Sequence, residues 1–369
     1  MNKTLLAFAL FSALAGAANA QDPANGPDPV APRDADATRS GVTLYGRIDM
    51  GLVIDGGGPS GRSVRLTGGV AKGNDFGFKG TEDLGGGYRA GFVMETGYCA
   101  DSTTSSGPGT TNPPYCTGSN FMGRGTHVDL YGPFGGINVG RQYPVGHSYL
   151  MLVDPFGGGT AGQVLNLADV SGPYVSNAIR YMAPTYGGLN FAVEVGLGEQ
   201  PGGSWANGRE DGGALIYGSG PASVGLTVYE VRNNNGIGRA RRNVLLGGWY
   251  DFGVVKVHAM AQRSTGSPTG VALPLDILDL MAGVSVPLGG GKVMASYTHH
   301  DDRTTLAEHG DQDAHQLAIG YMYWLSKHVS LYTAWARIAN QNGGKLTVGS
   351  PTEHGTGNKA FNLGVGYDF

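Results

Sequence analysis

Leu189–Leu197 reads LNFAVEVGL, with Leu189, Phe191, Val193, Val195 and Leu197 on one parity and Asn190, Ala192, Glu194 and Gly196 on the other. A period of two is the pattern of a β-strand with one apolar face. It recurs in VTLYGRIDMGL, where Val42, Leu44, Ile48, Met50 and Leu52 oppose Thr43, Tyr45, Arg47 and Asp49. The chain closes on it in FNLGVGYDF, where Phe361, Leu363, Val365, Tyr367 and Phe369 oppose Asn362, Gly364, Gly366 and Asp368. The less apolar face decides the class. A soluble barrel or sandwich fills its interior with large apolar side chains. Here the opposing parity is Gly, Asn, Thr and scattered charge, a poor dry core but a suitable wall for a wet lumen. The alternation predicts an all-β fold, an antiparallel transmembrane β-barrel.

The connections set its size. Tight turns recur at Glu82–Gly87, Gly132–Gly136, Ala183–Gly188, Gly218–Ala222, Asp251–Gly253, Pro287–Gly291 and Leu325–His328. Longer polar stretches fall between them, near 55–74, 99–120, 144–175, 199–212, 232–241, 265–275, 303–313 and 341–357. Fifteen connections imply sixteen strands, with short turns on one rim and long loops on the other. The third long connection is unusual. PVGHSYLMLVDPFGGGTAGQVLNLADVSGPYV, Pro144 to Val175, carries Leu150, Met151, Leu152, Val153, Phe156, Val164, Leu165 and Leu167 together with Asp154 and Asp169. So apolar a loop packs against something. The expectation is that it folds inward and narrows the bore.

The N-terminus is organised differently. Residues 1–20 hold one charge, Lys3, then LLAFALFSALAGAA and a small-residue Ala18-Asn19-Ala20 end, the marks of a cleaved secretory signal peptide. Residues 21–40, rich in Pro, Asp and Ala, read as an N-terminal tether. The barrel is expected over 41–369. Gly makes up 66 of 369 residues without a collagen-like period, charged residues are 15%, and the net charge is −4. That mild balance argues against a nucleic-acid partner.

Several stretches together resemble the general, non-specific porins of Gram-negative bacteria, most closely the β-proteobacterial group. They are VTLYGRIDMG, FGFKGTEDLGGGYRAGFVMETGY, INVGRQY, DPFGGG and the closing VGYDF. The resemblance runs from about Gly41 to Phe369. It implies a homotrimer of sixteen-stranded barrels in the cell outer membrane, surrounded by lipid, with the third long loop folded inward. It also implies that Phe369 is part of the signal read by the barrel-assembly machinery. The chain departs from the family at Asn74-Asp75, where members often carry Arg, and in the length of its tether.

The resemblance implies a water-filled channel for passive diffusion of ions and small hydrophilic solutes, with no catalysis, no cofactor and no metal. Arg47 sits mid-strand on the polar parity and matches a basic pore-wall position of the family, so it is the first candidate for the constriction. A charge on the lipid side would cost a few kcal/mol. Lys79 and Arg180 share the parity argument. Arg124 matches a family position, but the apolar phase of Val128 and Leu130 puts it outward unless a bulge intervenes. Asp154 and Asp169 are expected to face these basic residues across the bore. Arg141 falls on the apolar parity with Ile137 and Val139, where a trimer interface would remove its cost. Cys99 and Cys116 bracket the second long loop and, in an exported chain, are expected to form a disulfide worth about 3 kcal/mol.

Two other readings carry their own residues. A solute-specific channel wants a line of inward aromatics, for which Tyr45, Tyr229 and Tyr332 are the candidates. A barrel enzyme would draw on His299, His300, Asp301, Asp302, His309 and His315. That cluster lies at a rim, and neither G-x-S-x-G nor H-E-x-x-H accompanies it.

Overall fold

The structure, a computed structural model, describes residues 40–59, 61–101, 121–168, 170, 172–202, 204–234, 238–267, 275–304, 311–351 and 355–369. The expected leader, the tether up to residue 39, Cys116, Asp169 and His309 lie outside the described residues.

The strands are β1 (Gly41–Gly58), β2 (Gly61–Gly68), β3 (Asp75–Gly85), β4 (Tyr88–Gly97), β5 (Gly125–Gly132), β6 (Gly135–Gln142), β7 (Val175–Met182), β8 (Leu189–Gly196) and β9 (Glu210–Ser219). They continue as β10 (Ala222–Val231), β11 (Arg241–Asp251), β12 (Lys256–Gly266), β13 (Leu275–Leu288), β14 (Gly291–Asp302), β15 (Ala314–Trp324), β16 (Val329–Asn340) and β17 (Lys359–Asp368). An α-helix, α1 (Val145–Val153), and a 3-10 turn at Val164–Asn166 lie between β6 and β7. From β3 to β17 each strand pairs antiparallel with the next, and β17 returns to β1 in the register Met50↔Val365. Along its other edge β1 pairs first with β3, Gly41↔Thr81 to Arg47↔Asp75, and then with β2, Met50↔Gly68 to Gly58↔Gly61. β2 and β3 therefore share one place in the wall, and the closed barrel has sixteen.

All seven expected tight turns lie between strands. The stretch near 55–74 does not form the long loop expected of it. β1 runs on to Gly58 and β2 folds back along it, leaving a break only at 69–74. The signal was present: Val64 and Leu66 alternate with Ser63, Arg65 and Thr67, and both apolar side chains face outward, 57% and 68% exposed.

Burial follows the alternation. On β10, Val224, Leu226 and Val228 are exposed while Gly225, Thr227 and Tyr229 face the other way. The same exposed apolar row continues through Leu246, Leu280, Leu317 and Ile319. Leaving each such side chain in water forfeits roughly 1.5–3 kcal/mol of burial. A band of them around a closed wall marks contact with bilayer hydrocarbon.

Candidate functional site

The segment after β6 packs on the wall face opposite the apolar band. Four residues of α1, Val145, Tyr149, Leu150 and Val153, are fully buried against β8–β12. The N-terminus of α1 meets a carboxylate of the wall: Val145 donates its backbone N–H to Glu194 Oε1 at 2.9 Å, where the positive end of the helix favours an acid. Glu194 also holds Arg180 at 2.6 Å, and Arg180 donates to the carbonyl of Tyr143. Tyr149 reaches the Gly247 carbonyl at 3.0 Å, crossing Gly225 so closely that a Cβ there would lie 2.5 Å from its ring. Beyond the helix, Phe156 sits where Gly162 and Gly320 leave room for its ring. Thr160 donates its N–H to the Val70 carbonyl at 2.8 Å, in the break between β2 and β3. Gln316 of β15 closes the turn by donating to the carbonyls of Gly162 and Gln163, and it accepts from Asn166 at 2.8 Å.

Between this segment and the wall lies a cavity of about 1,540 Å3, lined on the wall side by Arg47, Lys79, Glu95, Arg124, Asp129 and Asn138. The segment presents His147, Ser148, Met151 and Leu152 to it. Arg47 makes a two-pronged ion pair with Asp368, 2.5 and 2.6 Å. Arg124 bonds Glu95 at 2.7 Å, Tyr143 at 2.8 Å and Asp75 at 3.3 Å, while Glu95 also accepts from Tyr45 at 2.9 Å. Lys79 is exposed, its ammonium 5.5 Å from the centroid of the Tyr45 ring. Asp49, 1% exposed, accepts from Val70 N, Ala71 N and Tyr332 Oη, which fixes the break between β2 and β3.

Arg47, Lys79, Arg124 and Arg180 thus share one face, and the counter-ions of the three arginines come from the wall: Asp368 for Arg47, Glu95 and Asp75 for Arg124, and Glu194 for Arg180. Asp154 is bonded into its own loop, accepting N–H bonds from Phe156 at 3.1 Å, Gly158 at 2.9 Å and Val164 at 3.1 Å. Burial pushes its carboxyl up to about 6, and these three donors hold it from rising further. Asp169, the other expected acid, is outside the described residues. His147, buried beside Arg124, is pushed down to about 4 and is neutral at physiological pH.

Arg124 needs no bulge. It precedes β5, so the alternation of Val128 and Leu130 does not bind it. Arg141 finds acceptors and a ring in its own chain: the Gly123 carbonyl, Ser176 Oγ and the face of Tyr174 at 4.9 Å. Cys99 is disulfide-bonded, while Cys116 is outside the described residues. Phe369 exchanges both backbone hydrogen bonds with Gly46, 3.0 and 3.1 Å, where the last strand meets the first. His299 and His300 diverge, as neighbours on a strand must. His300 faces inward onto Asp279 at 2.6 Å, and His299 faces outward, stacked on His315. Glu95, Glu194 and Asp368 were not singled out from the sequence, although each lies on the polar parity of its strand.

The Gram-negative porin family profile matches residues 4–343. The chain is 30% identical over 361 residues to outer membrane porin protein 32 of Delftia acidovorans, spanning 94% of this chain and 92% of the other. It is 27% identical over 388 residues to an outer membrane porin protein of Bordetella pertussis, spanning 90% and 93%. Among solved structures, the anion-selective porin from Comamonas acidovorans matches with a TM-score of 0.74 at 27% identity, covering 90% of this chain and 100% of that one. Salmonella typhi OmpF, at 17% identity and a TM-score of 0.65 over 89% and 97% of the two chains, shares the fold.

Proposed function

Because the chain belongs to the Gram-negative porin family, a family of outer-membrane channels for passive diffusion, we propose that it is a general pore preferring anions, narrowed by the segment 144–175. The observation that carries this reading is the unequal state of the charges in the bore. The acids Asp49 and Asp154 are taken up by backbone N–H groups, and Asp75, Glu95, Glu194 and Asp368 lie against guanidinium groups. Lys79 is exposed, its ammonium over the Tyr45 ring. Accessible positive charge at a narrow section raises the local concentration of anions. Arg47 and Arg124 are fixed basic groups of the wall, and Arg180 is buried beneath the start of the loop. A structure related to this one carries the description anion-selective, which agrees with that sign.

Generality rests on the aromatics. Of the three candidates for a solute track, Tyr229 and Tyr332 are 3% and 0% exposed, bonded to Glu210 and Asp49. No line of accessible rings remains from that set to guide one solute. The pore assembles as a homotrimer, inserted by the barrel-assembly machinery through Phe369 after removal of residues 1–20. It catalyses nothing and needs no cofactor. Swelling of liposomes in neutral sugars tests the reading. Rates should fall smoothly with solute size, and one sugar entering far faster than others of its size would establish a solute-specific channel instead.

A further inference from the structure

Two histidines stand on the outward face of the wall and take no part in the bore. His299 of β14 and His315 of β15 are direct cross-strand partners. Their rings stack with centroids 4.7 Å apart and 14° between planes, and their Nδ1 atoms are 3.1 Å from each other. Tyr297, two residues back on β14 and on the same face, brings its Oη to 2.8 Å from Nδ1 of His315. Three potential ligand atoms thus meet at one place, near the long-loop end of both strands.

An imidazole nitrogen has one in-plane position, filled by a proton or by a lone pair. Nδ1 of His315 therefore serves one in-plane partner, yet two polar atoms lie within 3.1 Å of it. A hydrogen bond to either leaves the other poorly served. A cation set among the three atoms removes the conflict, because each then points a lone pair at a common centre. The separations suit such an ion. Metal bonds of about 2.0–2.1 Å place neighbouring ligands about 2.8–3.0 Å apart at right angles and about 3.3 Å apart in a tetrahedron. The observed edges are 2.8 and 3.1 Å.

The surroundings fit the same reading. The side-chain amide of Gln341 lies 3.0 Å from Nε2 of His315. With its oxygen toward the ring it accepts Nε2–H and keeps the lone pair on Nδ1. The outer cross-strand neighbours are Leu280 beside His299 and Ala339 beside His315, the second too small to cover the pair. Tyr297 is 48% exposed, so the approach is open from outside. Among the described residues no group of three His, Cys, Asp or Glu side chains is placed to hold a metal, so the third protein ligand here is a phenol oxygen.

We propose that Nδ1 of His299, Nδ1 of His315 and Oη of Tyr297 bind one divalent transition-metal ion, with water filling its open positions. Copper(II) binds such nitrogen and oxygen donors most tightly, with nickel(II) and zinc(II) weaker. The ion cross-links β14 and β15 on the outside of the barrel, away from the path of solutes.

Titration of copper(II) into the untagged, detergent-extracted protein, followed by electron paramagnetic resonance, tests this. One copper per chain should bind, with nitrogen hyperfine structure from two imidazoles. His299→Asn and His315→Asn should each abolish that two-nitrogen signal while keeping the wild-type conductance. Gln341→Leu, which touches no metal, should weaken binding about tenfold. His328→Asn, which removes an exposed histidine at the short-turn rim, should leave the affinity unchanged. A wild type that takes up no stoichiometric copper, or holds it without two nitrogen ligands, would overturn the proposal and leave the rings as a pair sharing a proton. So would an unaltered signal in the double variant His299→Asn/His315→Asn.

Discussion

Thr160 and Val70 are joined by a backbone hydrogen bond of 2.8 Å, which ties the far end of the loop to the break between β2 and β3. Asp49 sits behind that bond. It accepts from the N–H groups of Val70 and Ala71 and from the Tyr332 hydroxyl, linking β1, the break and β16. The loop is thus held at its start by Glu194, along its length by packing on β8–β12, and at its tip by this anchor.

Asp49→Ala should loosen the tip while leaving the barrel closed. It strands three buried donors, at about 1–3 kcal/mol for each left unpaired. The expected outcome is a noisier, larger single-channel current with unchanged heat-resistant β-structure. A current indistinguishable from wild type would show that the tip does not depend on this anchor.

Asp154 predicts a pH effect with a definite sign. Its carboxyl stands near 6, above its ordinary value of 3.8, so the packed loop takes up a proton more readily than a released one. Stability of the packed loop therefore falls as pH rises through the window from about 4 to about 6, and acidification from neutrality favours packing. Open-channel noise should decrease between pH 7 and pH 5 in the wild type, and Asp154→Asn should abolish that dependence. The same substitution should hardly move the reversal potential, because the carboxylate faces its own loop.

How far the sequence could be read is clear from these two acids. Strand number, turn placement and the outward face follow from alternation, which a closed barrel expresses one strand at a time. Lys79 and Arg180 were legible because parity fixes the side on which a strand residue stands. Asp154 was not, because a loop has no parity and its side chain turns to whichever donors the local fold supplies. The partners of Arg47 and Arg180 were hidden for another reason. Asp368 lies 321 positions away from Arg47, and only closure of the barrel brings them together.

Arg47→Glu should shift the reversal potential toward cations, and the shift should persist at physiological salt. Screening there reaches only about 8 Å, and a residue at the narrow section lies within that range of passing ions. Asp368→Asn should move it toward anions by freeing the Arg47 guanidinium. If both leave the reversal potential unchanged, this ion pair lies outside the section that selects ions.

Gly46 and Phe369 separate closure from signalling. A Cβ at Gly46 would stand 2.6 Å from the Phe369 ring and 2.7 Å from the Asp75 carbonyl. Deleting Phe369 and substituting Gly46→Ala should both reduce the amount of inserted barrel without changing the conductance of those that form. Loss on deletion alone, with Gly46→Ala inserting normally, would mean that the terminal residue is read for its identity and not for this contact.

The most direct measurement is the zero-current potential of single channels in a planar bilayer under a salt gradient. Discrete, ohmic steps with a reversal potential displaced to the anion side are expected, and Lys79→Glu should reduce that displacement. A reversal potential on the cation side in the wild type would contradict the assignment of Lys79 as a charge that ions meet.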